Sequence, residues 1–177
     1  MLDKSIVLSV FISIIAIAIS AQLSFEIPTS GGGIPITGQS LAVLAVLYLL
    51  PDGYGVLSIA IYLILGIVGL PIFADASSGF DKLIGNSGGY LYGFLICGIV
   101  LTLLFPHRTA AMNSALSFMT LGTSIILLIG TLHLSVEFGM ARAIEYGVTP
   151  FVPGAIIKIL MGTAIVLFFK AISNRMV

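Results

Sequence analysis

The chain has 177 residues, of which 59% are hydrophobic and only 8% are charged, and its formal net charge is zero. Soluble domains carry about 25% charged residues, so a soluble fold of this length is excluded and we expect the lipid bilayer to be the solvent. A bilayer core about 30 Å thick takes roughly 20 apolar residues per helix. We therefore expect about six spans in a single membrane domain, residues 1–177, with no nucleic-acid partner.

Six apolar segments follow one another along the chain and are predicted to be membrane helices. They are residues 5–23, 37–50, 54–70, 88–105, 112–136 and 151–172. The turn Pro51-Asp52-Gly53 separates the second segment from the third, and Pro106-His107-Arg108 separates the fourth from the fifth. Pro153 suits the first turn of the last helix. The expected fold class is an all-α integral membrane protein with six transmembrane helices.

Lys and Arg residues are distributed unevenly between the two sides of the membrane. With the N-terminus inside, the inner side holds Lys4, Arg108, Lys170 and Arg175, and the outer side holds Lys82 and Arg142. Because cytoplasmic loops carry the excess of positive charge, we expect both termini in the cytoplasm. The three longer loops, 24–36, 71–87 and 137–150, then lie outside, which suits capture of a molecule from outside the cell.

Small residues form a stripe along the first segment. The stripe has i, i+4, i+7, i+11 spacing and consists of Ser9, Ser13, Ala16 and Ser20. Such stripes let membrane helices approach closely. We expect this face either to pack inside the protein or to bind a partner protein.

The fourth segment also carries a small residue at every fourth position, which we interpret as internal packing. These residues are Gly85, Gly89, Gly93 and Cys97. Cys97 is the only cysteine, so a disulfide or a cysteine metal cluster within the chain is excluded. The two histidines are distant from each other, and no phosphate-binding or dinucleotide motif is present. We therefore expect no metal, no cofactor and no ATP hydrolysis by this chain itself.

Lys158 is the strongest single candidate for a ligand-binding residue. It lies about one turn into the last segment, where a lysine at mid-membrane costs about 2.5–3.5 kcal/mol. It either lines a cavity and holds an anion, most simply a carboxylate, or extends to the interface, or forms a structural ion pair. The candidate partners for such a pair are Asp75, Asp81, Glu137 and Glu145.

The glycine-rich segment 85–89 leads into the fourth helix. Exposed backbone N–H groups at a helix N-terminus bind polar ligand groups, and Asn86 and Ser87 add side-chain hydrogen bonds. Tyr90 follows directly and could contact the same ligand. A plain helix cap by Asn86 or Ser87 is the alternative. Gln39, at the entry to the second helix, either caps that helix or reaches the site.

The same segment permits a hypothesis of a different class. As Gly-x-Ser-Gly at a helix start, residues 85–88 resemble the nucleophile motif of rhomboid intramembrane proteases. His133, near the outer end of the fifth segment, could then serve as the base for Ser87. Other rhomboid signatures are missing, and the chain has no Trp. Otherwise His133 is expected to be an interior histidine with satisfied hydrogen bonds.

Four motifs occur in a fixed order along the chain. They are Pro35-Ile36-Thr37-x-Gln39, Gly66-x-x-Gly69-Leu70-Pro71-x-Phe73, Gly85-x-x-Gly88-Gly89-Tyr90-x-x-Gly93-Phe94 and Pro150-Phe151-x-Pro153-Gly154-x-x-x-Lys158. In this order and spacing, the chain resembles BioY, the biotin-binding S component of energy-coupling-factor (ECF) transporters. The resemblance covers about residues 20–165.

The resemblance implies a non-enzymatic S-component fold of six helices in the plasma membrane of a prokaryote. Biotin would bind at the outer face and be delivered to the cytoplasm. A transmembrane T component and two ABC ATPases would be the partners, docking on the small-residue stripe of the first helix. Lys158 would hold the carboxylate, and Asn86, Ser87 and Tyr90 would make polar contacts, with Asp75 and Gln39 of second rank.

The chain departs from the family pattern in the motifs themselves. Ala155 stands where the family has an acid, and Asn86-Ser87 stands where it usually has Pro followed by Thr or Ser. A carboxylate accepts the N–H groups of a ureido ring, and Ala155 cannot. We expect Asp75 or another acceptor to replace that acid, or a ligand that lacks the ring. Lipoate and dethiobiotin are the alternative carboxylates.

Overall fold

A computed structural model describes residues 4–27, 34–51 and 53–173 of the chain. The helices are α1 (Lys4–Gln22), α2 (Gln39–Leu49), α3 (Tyr54–Ile67), α4 (Asp81–Ile84), α5 (Gly88–Leu104), α6 (Met112–Phe138), α7 (Met140–Gly147) and α8 (Val152–Ser173). Single 3₁₀ turns lie at Ala74–Ala76 and Thr149–Phe151. The predicted helical class is confirmed, and the six predicted segments correspond to α1, α2, α3, α5, α6 and α8. The largest error is at the end of the third segment, predicted at residue 70 and found at Ile67.

Within the described ranges, three helical stretches are long and apolar enough to cross a membrane: α1, α6 and residues 140–173. The remaining apolar helices α2, α3 and α5 are shorter. Large apolar side chains lie on the outer surface, such as Phe11 (59% exposed) on α1 and Phe168 (63% exposed) on α8. A surface of this kind needs a hydrocarbon solvent. Both chain ends, including Arg175 of the orientation count, lie outside the described residues.

The loop predicted over residues 24–36 contains a two-stranded antiparallel ribbon. Strand β1 (Ser24–Ile27) pairs with β2 (Ile34–Thr37), with Ser24 opposite Thr37. Since α2 begins only at Gln39, Thr37 belongs to the ribbon and not to the helix. The ribbon connects the end of α1 to the start of α2.

The close approach of α5 to α6 depends on glycine. A Cβ atom added to Gly89 would lie 2.9 Å from the Cα atom of Gly130. Farther along α5, Cys97 Sγ donates a hydrogen bond to the carbonyl of Gly122 over 3.5 Å. The interpretation of the small-residue stripe as internal packing is confirmed for Gly89, Gly93 and Cys97, whereas Gly85 lies before the start of α5.

The chain folds back over the end of α3 after Gly66. A Cβ atom at Gly66 would overlap the ring of Phe73, and that ring packs edge-on against Tyr62 with centroids 5.5 Å apart. Phe73 N–H donates to the Ser77 carbonyl over 3.0 Å, which closes a tight turn. Asp75 (φ 57°) and Ala76 (φ 50°) lie in the left-handed region inside this turn, a conformation that non-glycine residues rarely adopt.

The opposite end of the bundle is tied together by polar side chains. Arg108 Nη1 donates to the Leu50 carbonyl over 2.7 Å, and the Tyr48 hydroxyl donates to the Thr109 carbonyl over 2.6 Å. Above these contacts lie Leu101, Phe118 and Met119, all fully buried. The α2–α3 turn and the α5–α6 connection are therefore fastened to each other beneath an apolar core.

Candidate functional site

A cavity of about 180 Å³ opens at the end of the bundle that carries the three longer connections. A cavity needs only about 10–15 Å³ on this measure to hold one water, so this one accommodates a small molecule. Its polar wall consists of Thr37, Gln39, Ser40, Asp75, Ser77, Lys82, Ser87, Thr123 and Lys158. Its apolar wall consists of Phe73, Ala74, Tyr90, Leu91, Phe94, Ile126, Leu127, Phe151 and Ala155. An apolar pocket with a few convergent polar groups is the usual form of a small-molecule site.

Lys158 reaches from α8 across the cavity wall to the start of α2. Its Nζ atom donates to the Thr37 carbonyl over 2.6 Å and to Ser40 Oγ over 3.2 Å. Among the side chains that the structure describes, no acid forms an ion pair with this half-buried ammonium. An ammonium has three donors, and the described partners of Lys158 use two of them. The geometry is that of a cation inside a cavity, and an anionic ligand group offsets the cost of burying it.

Gln39 lies in the cavity wall and is 4% exposed. Its side-chain amide forms hydrogen bonds within the protein. Its Nε2 atom donates to the Tyr62 hydroxyl over 2.5 Å, and that hydroxyl donates to the Ile72 carbonyl over 2.9 Å. Gln39 N–H also donates to Thr37 Oγ1 over 3.2 Å. These contacts hold the start of α2 against α3 and the turn that follows it.

Ser87 lines the cavity immediately before α5. Its hydroxyl makes no capping hydrogen bond with the helix, so the plain-cap interpretation does not apply to it. Asn86, next to it, is not one of the residues that line the cavity. Of the two neighbours, Ser87 therefore has the geometry for direct ligand contact.

Tyr90 presents its ring to the cavity, since its hydroxyl is engaged elsewhere. The hydroxyl donates to the Gly147 carbonyl over 2.8 Å, which ties α5 to the end of α7. The ring stacks on Phe151 with centroids 5.5 Å apart and planes inclined by 17°. Tyr90 and Phe151 together form a flat aromatic wall.

Asp75 lies in the turn over the cavity, where Ser24 Oγ donates to its Oδ1 atom over 2.6 Å. It is the only carboxylate among the described residues that line the cavity. Lys82, in α4, also lines it. Its place in the cavity was not predicted, because the sequence distinguishes this residue only as an outer-side charge. The wall thus carries two ammonium groups and one carboxylate. Ser40 was also missed, although it follows Gln39 directly.

His133 and Ser87 form no hydrogen bond with each other among the described residues. Its Nδ1 atom lies 2.5 Å from the Tyr92 hydroxyl and its Nε2 atom 3.0 Å from the Gly85 carbonyl. Since a carbonyl only accepts, Nε2 carries the hydrogen and Nδ1 accepts from Tyr92. Both ring nitrogens are occupied, and no nucleophile–base pair of the kind that activates a serine is formed. His133 is the interior histidine of the alternative interpretation.

The small-residue stripe of α1 is divided between two environments. Ser13 is buried against the bundle, and its hydroxyl donates to the Ser9 carbonyl over 2.8 Å. Ser9 and Ala16 are exposed, and Ser20 is half-buried. Any partner that docks on this helix therefore meets Ser9, Ala16 and Ser20, with Ser13 behind them.

Comparison with known proteins finds the same family along nearly the whole chain. The family described as the BioY family matches residues 2–175. The biotin transporter BioY of Thermotoga maritima is 34% identical over 140 residues, covering 78% of this chain and 82% of that protein. The probable biotin transporter BioY of Rickettsia prowazekii is 26% identical over 169 residues, covering 96% and 85%.

A crystal structure of the S-component for biotin from an ECF-type ABC transporter has the same fold. The TM-score is 0.80 at 21% sequence identity, covering 97% of this chain and 95% of that one. At this identity the likeness concerns the fold alone. Together with the apolar helices, it establishes an integral membrane protein of S-component architecture.

Proposed function

The chain is a member of the BioY family, and we propose that it is the substrate-binding membrane subunit of a vitamin transporter whose substrate is biotin. The observation that carries this proposal is the Lys158 ammonium, which lines the cavity without a carboxylate partner among the described side chains. The family is one of transporter S-components, not of enzymes. The intramembrane hydrolase hypothesis therefore has no support from the family.

Biotin has the chemical features that this cavity complements. Its carboxylate suits the remaining donor of Lys158 and a charge-assisted hydrogen bond. Its apolar chain and thioether ring suit the wall formed by Phe73, Phe94 and the stacked pair Tyr90 and Phe151.

The ureido ring of biotin requires an acceptor for its N–H groups. Ala155 lines the cavity one turn before Lys158 and has no acceptor. We assign that role to Asp75, whose carboxylate lies in the turn over the cavity. Ser87 would donate to the ureido carbonyl, while Gln39 would position α2 and Asn86 would support the segment before α5.

Membrane placement and partners follow from the same proposal. The protein would cross the plasma membrane of a prokaryote six times, with both termini in the cytoplasm and the cavity facing outward. A T component and two ABC ATPases would supply the energy for delivery to the cytoplasm. The exposed face of α1, with Ser9, Ala16 and Ser20, would be the docking surface and Ser13 its buried support.

Isothermal titration of the purified full-length protein in detergent with biotin, lipoate and dethiobiotin tests the proposal. We expect biotin to bind most tightly and Lys158→Ala to weaken it at least tenfold, because hydrogen bonds to charged groups contribute about 1.5–3 kcal/mol. Lys170→Ala, at the other end of α8 and away from the cavity, is the matched control. Preferred binding of lipoate or dethiobiotin would change the substrate assignment, and unchanged affinity in Lys158→Ala would remove the central residue.

A further inference from the structure

The last residue of α1, Gln22, forms hydrogen bonds with the turn that covers the cavity. Gln22 Nε2 donates to the Phe73 carbonyl over 3.0 Å, and Gln22 Oε1 accepts from Ala76 N–H over 2.9 Å. One primary amide thus bonds both sides of the same turn. The Nε2 atom also donates to the Ala18 carbonyl of its own helix over 3.1 Å, which fixes the direction of the side chain.

The turn that Gln22 binds, residues 73–77, provides four of the residues that line the cavity. They are Phe73, Ala74, Asp75 and Ser77. The left-handed backbone of Asp75 and Ala76 is intrinsically unfavourable for side chains with a Cβ atom. Such a conformation persists only where surrounding contacts maintain it. From outside the turn, the Gln22 amide at the end of α1 and the Ser24 hydroxyl at the start of β1 contact it. Within the turn, Ser77 Oγ donates to the Ala74 carbonyl.

We propose that Gln22 is a positioning residue that holds the 73–77 turn over the cavity and slows escape of the bound ligand. The inference rests on the proposed function, since it concerns retention of that same ligand. Gln22 itself does not line the cavity. Without the amide, the Phe73 carbonyl and the Ala76 N–H lose their partner, and the turn gains access to open conformations. The ligand then leaves faster, while entry changes little because Lys158 and the aromatic wall are intact.

The test compares Gln22→Met, which preserves side-chain length and removes both hydrogen bonds, with Gln22→Glu, which preserves only the oxygen that accepts from Ala76. Ser124→Ala is the control, because the Ser124 hydroxyl bonds only the Thr120 carbonyl of its own helix, over 2.9 Å. Biotin dissociation and association rates are measured on the purified full-length protein. Hydrogen exchange of residues 73–77 is measured on the same protein without ligand.

We expect Gln22→Met to raise the biotin dissociation rate about tenfold, as the loss of two ordinary hydrogen bonds implies, and to change the association rate less than about twofold. Gln22→Glu should also raise the dissociation rate, because its second oxygen cannot donate to the Phe73 carbonyl, and Ser124→Ala should leave the rate unchanged. In ligand-free Gln22→Met, exchange should accelerate in residues 73–77 and not in α6, which a general loss of stability would not produce.

Two results would overturn the inference separately from the proposed function. An unchanged dissociation rate in Gln22→Met, with normal biotin binding by the unsubstituted protein, would remove the retention role. Acceleration of exchange throughout the chain would make Gln22 a general stabilising residue. Failure of the unsubstituted protein to bind biotin would instead overturn the proposed function, and the retention role with it, whatever the exchange pattern of the turn.

Discussion

The Lys158 ammonium and the Thr37 carbonyl are 121 positions apart in the sequence and 2.6 Å apart in the structure. This bond joins the first turns of α8 to the end of β2 and sets the cation at the cavity wall. Ser40 Oγ accepts a second bond from the same Nζ atom over 3.2 Å. The position of the charge is therefore determined by Thr37 at the end of β2 and by Ser40 in the first turn of α2, and not by α8 alone.

Removing the Ser40 hydroxyl should weaken ligand binding without abolishing it. In Ser40→Ala the Lys158 ammonium keeps the Thr37 carbonyl but loses one fixed acceptor, so its direction is less constrained. We expect biotin affinity to fall about threefold to tenfold, in line with about 0.5–1.5 kcal/mol per hydrogen bond. Titration calorimetry measures this, with Ser124→Ala as the control serine. An effect as large as that of Lys158→Ala would mean that Ser40 contacts the ligand itself.

Asp75→Asn should discriminate between ligands. An amide accepts hydrogen bonds less strongly than a carboxylate. Because the ureido N–H groups of biotin would lose their charged acceptor, the affinity for biotin should fall about tenfold. Lipoate has no such N–H groups, and its affinity should hardly change. The fold should tolerate the substitution, because Asn is among the residues that adopt positive φ most readily.

The control for Asp75→Asn is Asp81→Asn in α4, whose side chain is not one of those that line the cavity. Competition of each ligand against labelled biotin measures both affinities on one sample. Equal losses for biotin and lipoate would contradict the assignment of Asp75 to the ureido ring.

Gly66→Ala should displace a cavity wall. The added methyl group would overlap the Phe73 ring, and overpacking of this kind costs about 1–3 kcal/mol. We expect a lower melting temperature in detergent together with weaker biotin binding. Gly154→Ala is the matched control, because its new Cβ atom would meet only Ile36 Cγ2, at 3.9 Å. Unchanged melting of Gly66→Ala would show that Phe73 can leave its place at no cost.

Ser87 should remain unlabelled by a fluorophosphonate probe. Both nitrogens of His133 are engaged by Tyr92 and Gly85, so this histidine is not available as the base that would raise the reactivity of the Ser87 hydroxyl. The measurement is in-gel fluorescence after labelling, with a known serine hydrolase in the same tube as a positive control. Labelling that Ser87→Ala abolishes would contradict this arrangement.

Membrane orientation can be read with the single native cysteine left in place, because Cys97 is fully buried. A membrane-impermeant maleimide applied to intact cells should label Lys82→Cys, next to the cavity. It should label His107→Cys, between α5 and α6, only after the membrane is opened. The reverse pattern would invert the proposed topology and turn the cavity inward.

The six apolar helices could be predicted from sequence because each is a mostly apolar run, and Pro or Gly lies near at least one end of every run except α1. The ribbon and the short helices α4 and α7 were not predicted, since their segments are too short for a periodic pattern. Lys158 was found because a charge within an apolar run is conspicuous. Gln22 was not found, because its partners Phe73 and Ala76 are 51 and 54 positions away and nothing local marks it.

The fastened end of the bundle has a consequence for permeability. Below the cavity the fully buried side chains Leu101, Phe118 and Met119 fill the space above the bonds from Arg108 to Leu50 and from Tyr48 to Thr109. These three side chains offer no hydrogen bond to water or to an ion. We therefore expect the layer to resist ion passage when the cavity is empty, so that idle copies of the protein would not dissipate ion gradients.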